Sequence, residues 1–188
     1  MRIISGKNRG RNLVDCRKLK SLRPTTDSNR ENIFNLLTFS KIIKNIDFEL
    51  TKADLLDVFC GSGAISFEAL SRGAKSASLI DNNSIHLSIA KKNAELLKEQ
   101  NIDFLQIDVL KPLFAAKKLY NFIYIDPPYS ENIAIKALEN LVSSNWIRKN
   151  SLIVIEHSLD EKMNYDAKIF QFLEQKKYGI TLFTFLYY

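Results

Sequence analysis

The sequence predicts an α/β fold: a mostly parallel sheet wound by helices on both faces and closed by an antiparallel pair of strands. Three observations predict it. From residue 54 onward, short apolar runs alternate with segments of helical periodicity, which is the pattern of strands joined by crossover helices. Residues 152–155 form a continuous apolar run, as a strand covered on both faces does. The last stretch differs, because two strand-like runs at residues 169–177 and 180–187 meet at Tyr178-Gly179, a hairpin signature.

The elements follow in order. Residues 2–4 and 12–14 flank a Lys7-Asn8-Arg9-Gly10 turn, so a small N-terminal β-hairpin with a basic tip is expected. Thr26 or Ser28 can cap a helix through about Leu37, and Ser28 with Glu31 has capping-box spacing. Residues 40–52 read as a surface connection with some helix. Strands are expected at residues 55–59, 78–80, 104–107 and 122–125, with helices over residues 63–72 and from Asn83 to about Glu99. Ile85, Ile89 and Leu96 read as the apolar face of that second helix, and Ile133, Ala137, Leu138 and Leu141 as the face of another. With residues 152–155 and the closing pair, the sheet counts seven strands.

Composition limits the function classes. A chain of 188 residues, 46% apolar, suits one domain with a full core: a basic hairpin extension over residues 1–25 and an α/β core over 26–188. Two cysteines, Cys16 and Cys60, are too few for a disulfide framework, and with His86 and His157 they show no metal-ligand spacing. No apolar run approaches the length of a membrane span and no signal-peptide core follows Met1, so a soluble, cytoplasmic protein is expected. The net charge of +6 is unevenly placed. Residues 1–30 carry nine basic side chains against Asp15 and Asp27, a net +7, which leaves −1 for the rest. Such a cluster points to a polyanionic partner.

The chemistry gathers at strand ends. Asp57-Val58-Phe59-Cys60-Gly61-Ser62-Gly63 joins the first strand of the alternating region to its helix, where small residues let a ligand approach the backbone. A G-x-G alone also fits an ordinary tight turn. Asp81, 20 residues after Gly61 and at the end of the next strand, is placed to accept from ribose hydroxyls, with Asn82 beside it. Ile65 and Ser66 stand where a pyrophosphate-binding motif would continue. A nucleoside ligand without phosphate fits better, and S-adenosylmethionine has that character. Asp108, with Val109, closes the third strand and is placed to accept from an adenine amino group; as a plain alternative it caps its own loop.

Asp126-Pro127-Pro128-Tyr129 follows the apolar run Phe122-Ile123-Tyr124-Ile125. The Asp126 carboxylate and the Pro127 carbonyl can each accept one hydrogen of an exocyclic amine and so aim its lone pair, which is the main task in methylating a delocalised nitrogen. Proline supplies an acceptor with no competing donor and stiffens the loop. Tyr129 is placed to stack on an extruded base, a contact of about 1–3 kcal/mol.

These motifs carry a family resemblance. The tetrad with the Asp57 to Gly63 loop, Leu70-Ser71-Arg72-Gly73-Ala74, Leu22-Arg23-Pro24-Thr25-Thr26-Asp27 with Arg30-Glu31, and the closing Lys177-Tyr178-Gly179-Ile180-Thr181 with Tyr188 resemble the RsmD family. Its members are bacterial enzymes that methylate N2 of one guanine in 16S ribosomal RNA with S-adenosylmethionine. The resemblance implies a Rossmann-like class I methyltransferase fold. It implies a cofactor site of Thr25, Thr26, Asp57, Phe59, Gly61, Ser62, Gly63, Asp81, Asn82, Asp108 and Val109, and a catalytic set of Asp126, Pro127, Pro128 and Tyr129. Cys60 stands where alanine is usual. The implied partner is 16S RNA or a small-subunit assembly intermediate, with no obligate protein partner, so a monomer is expected.

Arg2, Lys7, Arg9, Arg11 and Arg23 are the candidate RNA contacts. They are placed to grip the phosphate backbone while the tetrad holds a flipped base. Two other readings remain open: adenine-N6 methylation of DNA, and a noncatalytic RNA-binding or assembly protein that retains the fold.

Overall fold

A computed structural model describes residues 1–16, 26–128 and 132–188. Arg17, Lys18, Lys20, Arg23, Thr25 and Tyr129 lie outside the described residues. The elements run α1 (Asp27–Phe39), α2 (Lys41–Lys44), a 3-10 turn (Leu50–Lys52), β1 (Asp54–Val58), α3 (Ala64–Ser71), β2 (Ser76–Asp81), α4 (Ser84–Leu97), β3 (Ile102–Gln106), β4 (Tyr120–Ile125), α5 (Ile133–Ser143), β5 (Ile147–Ser158), β6 (Gln171–Tyr178) and β7 (Thr181–Tyr187).

The seven strands form one sheet in the order β3-β2-β1-β4-β5-β7-β6. The first five run parallel and β7 pairs antiparallel with both β5 and β6. The hairpin turn falls at Gly179-Ile180, one residue later than expected, because Tyr178 is still paired with Thr181. The chain crosses from β3 at one edge to β4 beside β1, so the strand order reverses between β1 and β4. In open α/β sheets that reversal opens a crevice at the carboxyl ends of the strands.

Alternate side chains of each central strand build two cores. Leu55, Phe122, Tyr124, Leu152 and Val154 face α1 and α3, whereas Leu56, Ile123, Ile125, Ile153 and Ile155 face α5. Thr26, not Ser28, caps α1, and its side chain accepts from the Asn29 N–H at 3.1 Å. The face expected for α4 is corrected. Ile85 and Leu96 are 56% and 51% exposed, and Leu87, Ile89, Ala90, Asn93, Ala94 and Leu97 are the buried residues.

The N-terminal hairpin forms, although only Arg2 and Asn12 make a ladder bridge. Its strength lies in docking on α3. Fully buried Glu68 accepts the Ile4 N–H at 2.8 Å and the Ser5 N–H at 3.0 Å, and pairs with the Arg72 guanidinium at 2.7 Å. Ser71 Oγ donates to the Ser5 carbonyl and accepts from the Asn8 N–H. At Gly6, with φ +82°, a Cβ would fall 1.8 Å from the Ser71 carbonyl oxygen, so only glycine permits this approach.

Candidate active site

A cavity of about 340 Å3 opens at the carboxyl edge of the sheet, over the β1/β4 reversal, a size that suits a nucleoside-sized ligand. Its walls include the loop after β1, the end of β2 with the start of α4, the loop after β4 and the start of α1, with Leu110, Glu156 and Thr181 from further along the chain.

The β1 loop is shaped by backbone that ordinary side chains avoid. Phe59, Gly61 and Gly63 all have positive φ, at 63°, 54° and 76°; for Phe59 this is a strained conformation of the kind that collects at ligand sites. Phe59, Gly61 and Ser62 line the cavity. Gly63 does not. A Cβ there would meet Leu79 at 2.7 Å and Phe67 at 2.8 Å, so this glycine serves close packing of α3 on the sheet.

Asp81 ends β2 and is held from three sides. It accepts from the Gly61 N–H at 3.0 Å and the Asn83 N–H at 2.9 Å, and lies 3.1 Å from His86 Nδ1. It thereby ties the glycine loop to the first turn of α4 and lines the cavity with Asn82. Asp57 is buried beneath the loop, where its Oδ2 accepts from Ser66 Oγ at 2.6 Å. Burial, opposed only in part by that bond, pushes its carboxyl up to about 7. The folded protein therefore keeps a proton that the unfolded chain releases near pH 4. Stability falls as pH rises from about 4 to about 7 and levels off above. Asp57→Asn should flatten this dependence, seen as urea midpoints at pH 5 and pH 8 that lie closer together than in the wild type. Parallel profiles would overturn the assignment.

Asp126, Pro127 and Pro128 line the opposite wall. The Asp126 N–H donates to the Val58 carbonyl at 3.3 Å, which fixes the start of this loop against β1. Thr26 also reaches the cavity. The structure thus brings together Thr26, Asp57, Phe59, Gly61, Ser62, Asp81, Asn82, Asp126, Pro127 and Pro128. It leaves Asp108 and Val109 outside the lining, where Asp108 accepts from the Leu110 N–H at 3.2 Å and pairs with Lys111. Leu110 lines the cavity instead.

Sequence reasoning missed Asn29, His86, Tyr124, Glu156 and Thr181, all of which line the cavity. Glu156 was legible by the same rule that found Asp81, an acid following an apolar strand run. Burial pushes the thiol of Cys60 well above its ordinary range and that of Cys16 up, so both lining cysteines stay protonated. Among the described lining residues are four carboxyl groups, Asp57, Asp81, Asp126 and Glu156, and no lysine or arginine. Such a described lining favours a cation or a donor edge of a base over a phosphate.

The basic hairpin tip lies at the far end of α3, an eight-residue helix that spans about 12 Å. Lys7 pairs with Glu99 at 2.9 Å. The Arg11 guanidinium donates to the Leu97 carbonyl at 3.3 Å, to the Leu96 carbonyl and to Asn8 Oδ1. It caps the end of α4, a structural task the charge count did not reveal. Arg2 and Arg9 are exposed.

A family model described as Conserved hypothetical protein 95 matches residues 1–187. The chain is 31% identical to the ribosomal RNA small subunit methyltransferase D of Haemophilus influenzae, over 96% of this chain and 90% of that one. With the Buchnera aphidicola protein of the same name it shares 37% identity over 82% and 76% of the two chains. In three dimensions it resembles the putative methyltransferase yhhF from Escherichia coli, at a TM-score of 0.79 and 28% identity, over 99% and 96% of the two chains.

Proposed function

We infer, because the chain belongs to the RsmD family of small-subunit ribosomal RNA methyltransferases, that it transfers a methyl group from S-adenosylmethionine to the exocyclic N2 of a guanine in 16S ribosomal RNA. The observation that carries this reading is the cavity itself: a strained glycine loop and Asp81 on one wall, Asp126-Pro127-Pro128 on the other, with four carboxyl groups and no lysine or arginine among the described lining.

That lining fits the cofactor. S-adenosylmethionine, when bound, supplies a methyl carbon made electrophilic by an attached sulfonium. Asp81 and Asn82 would hold the ribose, and the Phe59 to Ser62 backbone would lie against the nucleoside. The carboxylate surroundings favour its positive charge and exclude nucleotides with phosphate tails. Asp108 lies outside the cavity lining and is assigned to its own turn.

On the other wall, Asp126 and the Pro127 carbonyl would each accept a hydrogen from the N2 amine, and this orientation is the larger part of the catalytic task. As the nitrogen becomes alkylated it sheds one proton, which the Asp126 carboxylate can take. Only the base needs to enter, since the polyanionic backbone is disfavoured in an acidic cavity; the base must therefore leave its stack. Phosphates would rest outside, on exposed cations such as Arg2 and Arg9, which position the RNA without reading its sequence.

The experiment is transfer of labelled methyl from S-adenosylmethionine to a panel of acceptors: free 16S RNA, assembled small subunits, DNA and no acceptor. The reading predicts label in an RNA-containing arm alone. Label in DNA, or in no arm, would overturn it.

A further inference from the structure

Three strands set a row of polar side chains on one face of the sheet. Asp57 pairs in register with Tyr124, and Tyr124 with Val154, so Glu156, two residues beyond Val154, points the same way. Tyr124 is fully buried, and its hydroxyl donates to Glu156 Oε2 at 2.5 Å. Ile125 pairs with Ile155, which puts Asp126, just past the end of β4, beside Glu156 near the end of β5, which runs on to Ser158. Both line the cavity, although Glu156 is only 5% exposed. A buried acid and phenol at the end of a cavity, outside the tetrad, are not needed to hold an amine.

We propose that Glu156, oriented by Tyr124, accepts the N1–H of the target base and so selects guanine over adenine, an inference that rests on the guanine-N2 reading above. The edge beside the N2 amine of guanine carries a donor at N1, whereas adenine has an acceptor there. A carboxylate accepts and cannot donate. It favours the first base and, in a water-poor cavity, repels the second. A carboxylate has about four acceptor positions, and the Tyr124 hydroxyl fixes the plane of the group. Burial, with the neighbouring carboxylates, pushes the Tyr124 phenol well above its ordinary range, so it remains a donor. Asp126 holds the amine and Glu156 identifies the ring that bears it.

The test compares kcat/KM on a synthetic RNA spanning the nucleotide that the wild-type enzyme modifies, with that base supplied as guanine or as 2,6-diaminopurine. The second keeps the N2 amine but presents an acceptor at N1. Wild type should prefer guanine strongly. Glu156→Gln, whose amide can donate to that acceptor, should narrow the preference by about tenfold or more while the Kd for S-adenosylmethionine stays within about twofold. Tyr124→Phe keeps the carboxylate, and should narrow the preference less; it supplies the readout if the glutamine variant does not fold. A preference unchanged in these variants, or equal losses on both substrates, would overturn the proposal. If the wild type methylates an adenine or no RNA, the guanine-N2 reading itself fails, and it does so in the wild-type arm alone.

Discussion

Glu68→Ala should lower the stability of the protein by about 3–5 kcal/mol and release the N-terminal hairpin. The carboxylate is fully buried, and three groups depend on it: the Ile4 and Ser5 N–H groups and the Arg72 guanidinium. Removing it leaves two backbone donors without their partner, at about 1–3 kcal/mol each, and uncouples a half-buried charge. In a chain of this length the melting temperature should drop by about 10 °C. Limited proteolysis should cut within residues 1–16 before the rest of the chain unfolds. Glu68→Gln keeps one acceptor and should fall between. A melting temperature within about 1 °C of wild type would show that the hairpin is held by its apolar contacts, Ile3 and Leu13 with Phe67 and Leu97, and not by Glu68.

Asp126→Ala should reduce methyl transfer by at least about a hundredfold, the scale on which a positioned acid or base contributes, while the affinity for S-adenosylmethionine changes little. The separation is expected because the residues proposed to hold the nucleoside lie on the β1 and β2 side of the cavity and Asp126 on the β4 side. Asp126→Asn divides the two roles of the carboxylate. An amide oxygen still accepts an amine hydrogen but cannot take the proton, so retained activity would assign Asp126 to orientation and loss equal to that of alanine would assign it to proton transfer. Transfer near the wild-type rate in Asp126→Ala would remove both roles.

The sheet was legible because its strands are short apolar runs bounded by chemistry-bearing residues, and Leu152 to Ile155 are buried on both faces as their continuity requires. The face of α4 was misread for a physical reason. The helix carries large aliphatic side chains on more than one side: Leu87, Ile89 and Leu97 are buried together with Ala90, Asn93 and Ala94, whereas Ile85 and Leu96 are exposed. Asn93, a polar residue that an aliphatic count passes over, belongs to the buried face, where it accepts from the Val14 N–H and donates to the Ser62 carbonyl.

The cavity wall that carries Gly61, Ser62 and Asp81 was likewise legible, since the glycine loop and Asp81 sit at a fixed distance along the chain. The row of Asp57, Tyr124 and Glu156 was not, because it exists only once β1, β4 and β5 are neighbours and in register. Arg11 carries a structural task that charge counting does not reveal. Charge counting assigned it to RNA, yet it reaches the carbonyls of Leu96 and Leu97, more than 80 residues away in sequence.

In the proposed reaction the Asp126 loop presents the N2 amine of a ribosomal guanine. The most direct test is to digest small-subunit RNA after reaction with labelled S-adenosylmethionine and to identify the methylated nucleoside by mass and chromatography. N2-methylguanosine, at one position, is the predicted product. Methyl on an adenine amine, on a ring nitrogen or on ribose would contradict it.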